Sequence, residues 1–244
     1  MKLQCARRSE LHNRAGGINL KKSPVSVVIA CLILAASVST LNAFPLSFSV
    51  NGSIGMGYYS MSRLNATLAK VSRSEGIRIE DVKNGINVGL SGRVWLFDLA
   101  AVNVGYERFW AESSIETDEL ILSFKMPADV YFIGATVRAY SSPSALDICI
   151  GSNICKVKST YGTNLYSGRI LREYKGEDTG YEFFTEIHTN FLKPLEVGAQ
   201  LGYRYMKVSE FKDKEGQTVE FEPGVQAQID YSGLYFYIMA GIRI

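Results

Sequence analysis

Two groups of side chains in this sequence could do chemistry. The first is a set of ions and one histidine at matching positions of alternating runs: Arg93, Glu107, Lys125, Arg138, Glu182, Glu186, His188, Arg204 and Arg243. The second is the pair Cys149 and Cys155, in a stretch rich in Ser, Gly and Asn. A histidine beside carboxylates is the raw material of general acid–base catalysis, and with a serine it can drive nucleophilic hydrolysis. His188 shares its parity with Glu186 and Glu182 but stands near a short turn, and an interior histidine of this kind is more often a hydrogen-bonded filler. No phosphate loop, paired-carboxylate motif or metal-spaced cluster accompanies it. No catalytic, cofactor or metal residues are therefore assigned, and the chain is read as non-enzymatic.

What the cysteines do depends on where the chain goes. Residues 24–41 form an apolar run preceded by Lys21 and Lys22 and followed by Leu41-Asn42-Ala43. This is the layout of a secretory signal, residues 1–43, with Phe44 as the first mature residue. A transmembrane anchor is the alternative, but Pro24, Ser26, Ser37, Ser39 and Thr40 interrupt a run that barely reaches spanning length. A lipoprotein signal ending at Cys31 is another, and the apolar run continues well past that cysteine. In an exported chain the compartment is oxidising, so Cys149 and Cys155 are expected to form a disulfide in a loop. Zinc would need further ligands, and His188 is the only histidine beyond the leader.

Removing the leader also changes the charge. Of the 26 Lys+Arg and 24 Asp+Glu, the leader takes six and one, leaving 20 basic and 23 acidic residues. A slightly acidic chain gives no reason to expect nucleic acid as a partner. Its length suits one domain, residues 44–244.

The elements that must position the charged set are β-strands. From Leu234 to the end of the chain, one parity reads Leu234, Phe236, Ile238, Ala240, Ile242, Ile244; the other reads Tyr235, Tyr237, Met239, Gly241, Arg243. An apolar face opposite one of Gly, tyrosine and arginine suits a small membrane barrel with a polar interior. Seven further runs alternate in the same way: 46–58, 86–96, 102–106, 120–126, 131–137, 181–191 and 197–205. Phe97-Asp98-Leu99-Ala100, Pro127-Ala128-Asp129 and Leu192-Lys193-Pro194-Leu195 read as short turns. The connections 59–85, 111–119, 141–180 and 211–228 read as long loops. Short and long alternate in phase, as periplasmic turns and extracellular loops do. The fold class is all-β: an eight-stranded antiparallel up-and-down transmembrane barrel, with ten strands the alternative if a hairpin around Gly162-Thr163-Asn164 adds two. Met61, Leu64, Leu68 and Val71 recur at helical spacing behind Ser60, a candidate N-cap, and predict a short helix in the first long loop.

The Gly-rich first strand NGSIGMGYY, the segment LEVGAQLGYRYMKV and the ending DYSGLYFYIMAGIRI resemble the small outer-membrane β-barrel proteins of Gram-negative-type bacteria, the broad family of opacity-type and OmpA- or OmpW-like eight-stranded barrels. The resemblance is one of pattern over the mature chain. It implies residence in the cell outer membrane, outer-membrane lipid and lipopolysaccharide and the outer-membrane assembly machinery as partners, and a monomer without cofactors. Ile244 departs from it, since such barrels usually end in an aromatic residue.

On the barrel reading the inward parity collects the eight ions and the one histidine named at the outset into a lumen network, together with Asn51, Asn103, Asn190 and Gln200. Charges in so narrow a space must pair or carry a large desolvation cost. A structural or surface-interaction barrel is the function this favours. A narrow conduit or a binder for a small apolar ligand is the alternative. A lipid-modifying outer-membrane enzyme and a soluble lipocalin-like barrel with inverted parity stand behind it.

Overall fold

The computed structural model describes residues 46–76, 78–116, 121–142, 146–165, 170–192, 194–222 and 224–244. The expected leader lies outside them. Eight long strands and one helix follow in order: β1 (Leu46–Tyr58), α1 (Ser62–Glu75), β2 (Asn84–Leu96), β3 (Ala100–Glu116), β4 (Ile121–Ser141), β5 (Leu146–Leu165), β6 (Ile170–Leu192), β7 (Leu195–Tyr205) and β8 (Gly233–Arg243). Each pairs antiparallel with its neighbour in sequence, and β8 pairs back onto β1 from Ser49↔Arg243 to Gly57↔Tyr235. Among the described residues closure leaves none of the eight long strands with a free edge, and each is paired on both sides in the apolar zone.

The alternation sorts residues as the terminal run requires. Ile54, Ile86, Ile133, Ile154, Phe183, Leu201, Leu234 and Ile238 stand exposed on the outer wall, while Tyr235, Tyr237, Asn51, Asn87, Glu182 and Arg204 are buried inside. An apolar outside around a charged inside is the reverse of a soluble barrel and removes the lipocalin-like alternative.

Strand count and strand identity part company here. Pro127-Ala128-Asp129 is not a turn but the middle of β4, which runs unbroken through Ala128↔Phe109 and Asp129↔Arg108. Two expected strands are therefore one. The expected loop 141–180 instead supplies β5 and the first half of β6, paired from Leu146↔Thr189 to Asn164↔Ile170. The two errors cancel, and the count stays at eight. Pro127 has the parity opposite to the buried Met126 and Ala128 and pairs with Trp110 of β3, while the β4–β5 ladder passes from Lys125↔Gly162 to Ala128↔Ser159 without it. Gly162-Thr163-Asn164 lies within β5, paired with β6, and does not turn the chain.

Strand lengths divide the molecule along its axis. About 9–11 residues cross a membrane, and β1, β2, β7 and β8 have 13, 13, 11 and 11. β4, β5 and β6 have 21, 20 and 23 and continue into a head beyond the apolar zone. At the opposite end the turns are tight. Phe97 and Asp98 both take the left-handed conformation, φ 53° and 55°, in the three-residue link Phe97-Asp98-Leu99 between β2 and β3, closed by the Leu99 N–H on Leu96 O at 3.0 Å.

The predicted helix is present as α1, but its start differs. Ser60 does not cap it; Met61 stands at the cap in the left-handed region, φ 42°, without a side-chain bond. The entry is pinned instead by backbone bonds from Ser60 N–H to Ser232 O, 2.8 Å, and from Met61 N–H to Asp230 O, 3.1 Å. The exit is conventional: Gly76 in the left-handed region, its N–H on Ser72 O. Met61, Leu64 and Leu68 are buried over the barrel mouth, whereas Val71 is exposed.

Candidate functional site

The lumen is filled in layers. Nearest the short turns, Arg243 bonds Asp98 at 2.6 Å and lies 3.9 Å from Asp147 and 4.0 Å from Glu196. Arg138 reaches Asp147 at 3.3 Å. The Arg243 and Arg138 guanidinium groups both lie over the Trp95 ring, 4.5 Å and 5.2 Å from its centroid respectively, which gives two like charges a shared quadrupole to sit against. Asp98, in the turn outside the barrel wall, is acidified: burial pushes its carboxyl up, but the Ser47 hydroxyl and Arg243 outweigh it and hold it below the ordinary carboxylate range.

One layer further in, Arg93 grips Glu186 with two bonds, 2.6 and 2.5 Å. His188 Nε2 is 2.7 Å from the same carboxylate, and its Nδ1 is 3.5 Å from Glu196. Gly198, across from His188 on β7, is glycine for room: an added Cβ would stand 2.8 Å from His188 Nδ1. The parity that puts Glu182, Glu186 and His188 inward on β6 is what assembles this layer.

The third ionic layer is built on Arg204, buried at the barrel centre. Its Nη2 lies 3.3 Å from both Glu107 and Glu182 and donates to the Tyr237 hydroxyl at 2.8 Å, which in turn donates to Glu107 at 2.8 Å. The guanidinium is clamped between Phe109 and Tyr235, 4.2 and 4.1 Å from the ring centroids. Asn153 donates to Glu182 from β5 at 3.1 Å. Between the second and third layers a cavity of about 20 Å³ is bounded by Ser91, Asn103, Asn153, Gln200, Phe184 and Met239. It has room for about one water molecule.

Above Arg204 the lining turns apolar. Phe109, Met126, Ala128, Val130, Cys155, Val157, Met206, Phe211, Ile229 and Tyr231 pack beneath Leu64 and Leu68 of α1. The Tyr231 hydroxyl meets Ser159 at 2.7 Å and donates to Met126 O at 3.2 Å, so even this core has its buried phenol satisfied. The Asn65 side chain holds both the N–H and the C=O of Val82, 2.9 and 3.0 Å, and fastens the chain where it returns to β2.

Of the residues assigned to the lumen from sequence, the structure brings Arg93, Glu107, Arg138, Glu182, Glu186, His188, Arg204 and Arg243 inside. Lys125 is not among them. It stands half-exposed on the outer face of the head, 3.9 Å from Glu112, because β4 runs straight through Pro127 and puts Met126, Ala128 and Val130 inward. Asp147 and Glu196 were missed and complete the network. Extending the alternation by one residue on β7 reaches Glu196, and reading 147, 149, 151, 153, 155 as one parity reaches Asp147. The two cysteines masked that second run.

Those cysteines require the main correction. Cys149 and Cys155 are free and buried, and both point inward from one strand, β5. Six residues of extended chain hold them about 20 Å apart, far beyond the reach of a disulfide. We expect both thiols to resist a maleimide reagent in the folded barrel and both to react once it is unfolded, with no mass change on reduction. A Cys149–Cys155 cross-link in non-reducing peptide maps would contradict this arrangement.

No protein-family model and no curated protein matches the chain. Among solved structures, surface protein A of Neisseria (NspA) aligns over 81% of this chain and 96% of its own at 10% identity, TM-score 0.42. OprG of Pseudomonas aeruginosa aligns over 82% and 97% at 10% identity, TM-score 0.44. The Escherichia coli outer membrane protease OmpT aligns over 82% and 97% at 9% identity, TM-score 0.39. Likeness at this level concerns the course of the chain alone. The chain's own inside and outside decide more: a closed barrel with an apolar wall and an ionic interior. This is the fold of a small outer-membrane β-barrel. It is also a filled one, with ions at the short-turn end and in the middle and an apolar cap at the other.

Proposed function

We propose that the protein is a non-enzymatic structural barrel of the outer membrane, with its short turns in the periplasm and its head outside, presenting a rigid surface for interaction. The observation that carries this reading is the lumen. Three ionic layers and an apolar cap occupy the space that a solute would cross, and the cavity between the second and third layers, about 20 Å³, is far below the roughly 300 Å³ at which small-molecule pockets begin. His188 supports the non-enzymatic side, being enclosed between Arg93, Glu186 and Glu196 where lipid and polymer substrates do not reach. Orientation follows the rule for bacterial barrels, short turns inward and long connections outward. α1 and the chain between β7 and β8 then seal the outer mouth.

The conduit reading is tested directly. In planar-bilayer recording we expect no steady open conductance from the wild-type protein, because every path along the axis crosses paired charges. A stable, ion-selective channel in the unmutated barrel would show that the charges line water, and would replace the structural reading with transport.

A further inference from the structure

The helix α1 has two sides with different work. Leu64 and Leu68 are buried over the mouth, while Arg63, Ala66, Thr67 and Lys70 form one wall of a groove of about 630 Å³. The opposite wall is a short hairpin, Glu220–Glu222 with Val225–Gln226, paired at Glu220↔Gln226 and Glu222↔Val225. A space of that volume is within the range that takes a ligand. Arg63 also borders a second cavity of about 500 Å³, toward Thr179, Lys207 and Ser209, so it stands where the two meet.

The walls make unlike offers. Arg63 and Lys70 are exposed, and Arg63 has no ion-pair partner among the described residues. The acids that border the two cavities are engaged by their own surroundings. Glu220 accepts from the Gly224 N–H at 2.8 Å, within its hairpin. Asp178 accepts from the Thr179 N–H at 2.8 Å, and Asp230 accepts from the Ser232 N–H at 3.0 Å and lies 3.4 Å from Lys207. The helix wall therefore asks for negative charge from outside. The hairpin asks for a backbone. Among the described residues Val225–Gln226 pairs with Glu220–Glu222 alone, so its other edge has no partner strand, and both of its residues are exposed.

An extended peptide meets both demands at once. It can add a strand to an open edge through main-chain bonds, and its side chains on one face repeat about every 7 Å. Arg63 and Lys70 are two turns apart, about 10 Å along the helix axis, a span that neighbouring carboxylates on such a face cover. Each would be met by a charge-assisted bond at an exposed site.

We propose that the groove between α1 and this hairpin binds an extended acidic peptide segment of a partner protein, its backbone added to the Val225–Gln226 edge and its carboxylates set against Arg63 and Lys70. The inference rests on the reading of the barrel as a scaffold that presents a rigid surface. Its failure would leave the filled lumen as it is, because conductance tests that and peptide binding does not.

The test titrates the full barrel in phosphatidylcholine nanodiscs against a fluorescein-labelled peptide of alternating Glu and Thr, followed by anisotropy. That peptide is expected to bind about tenfold more tightly than its Lys and Thr counterpart. Arg63→Gln and Lys70→Gln should each weaken it about fivefold, the upper share of one exposed ion pair. Both side chains are exposed, so the folded barrel is retained, as the gel mobility of the unheated protein checks. The backbone is tested on the unmutated barrel with two further peptides, N-methylated either at the Thr or at the Glu residues. An added strand turns alternate N–H groups to its partner, so one of these should bind like the parent and the other about tenfold more weakly. Equal affinity of the two methylated peptides, or binding indifferent to Arg63 and Lys70, would overturn the proposal. So would binding of dextran sulfate through Arg63 and Lys70 without binding of the peptide, which would assign the groove to another class of polyanion.

Discussion

Replacing Arg204 by alanine is expected to cost the barrel about 3–5 kcal/mol, the range for removing one partner of a buried ion pair. The geometry places it there. Arg204 is fully enclosed, and it alone stands between the carboxylates of Glu107 and Glu182. Its loss leaves two acids buried and facing each other, removes one of the two partners of the Tyr237 hydroxyl, and opens the space between Phe109 and Tyr235. Urea unfolding from lipid vesicles, followed by tryptophan fluorescence and by the gel mobility of the unheated barrel, measures the effect. A triple variant carrying Glu107→Gln and Glu182→Gln beside Arg204→Met should recover most of the loss, because it removes the charges together and keeps volume. If Arg204→Ala unfolds at the wild-type urea concentration, the central layer is not holding the strands.

A charge on the wall should be nearly as harmful, for a different reason. Ile238 lies midway along β8, paired with Ile54 and Ala199, and is exposed on the outer face. Ile238→Arg puts a guanidinium at the middle of the apolar zone, where the cost in outer-membrane barrels is about 2–4 kcal/mol. The same change at Val225, exposed in the head between β7 and β8, should stay within about 0.5 kcal/mol. Equal effects at the two positions would mean that the wall around Ile238 meets water rather than lipid.

How much of this was legible in advance varied along the chain. Where alternation was uninterrupted the sequence carried both strand and face: β1, β2, β7 and β8, and with them Arg93, Arg204 and Arg243. In β6 the parity of Glu182, Glu186 and His188 was visible although the strand's first half was not. Failures came where local chemistry imitated a signal. Pro127-Ala128-Asp129 has the composition of a turn, yet pairing of all three with β3, and of Ala128 and Asp129 with β5, holds it extended, and ladders of that length outweigh a local preference. Cys149 and Cys155 in a Ser- and Gly-rich stretch imitated a stapled loop, although Ile148, Ile150 and Ile154 around them already alternated.

The sequence by itself determined which side chains share a face, because a strand has a period of two and needs no partner to express it. That is enough for an apolar wall, a charged opposite face and an even number of crossings. It did not determine which face is inside, since inversion preserves the period. Closure decided that, by matching β8 to β1 with Tyr235 and Tyr237 enclosed. Nor did it determine which ions meet. Arg93 and Glu186 are far apart in sequence, as are Arg204 and Glu107, and only the register of every intervening strand brings each pair to one height across the lumen.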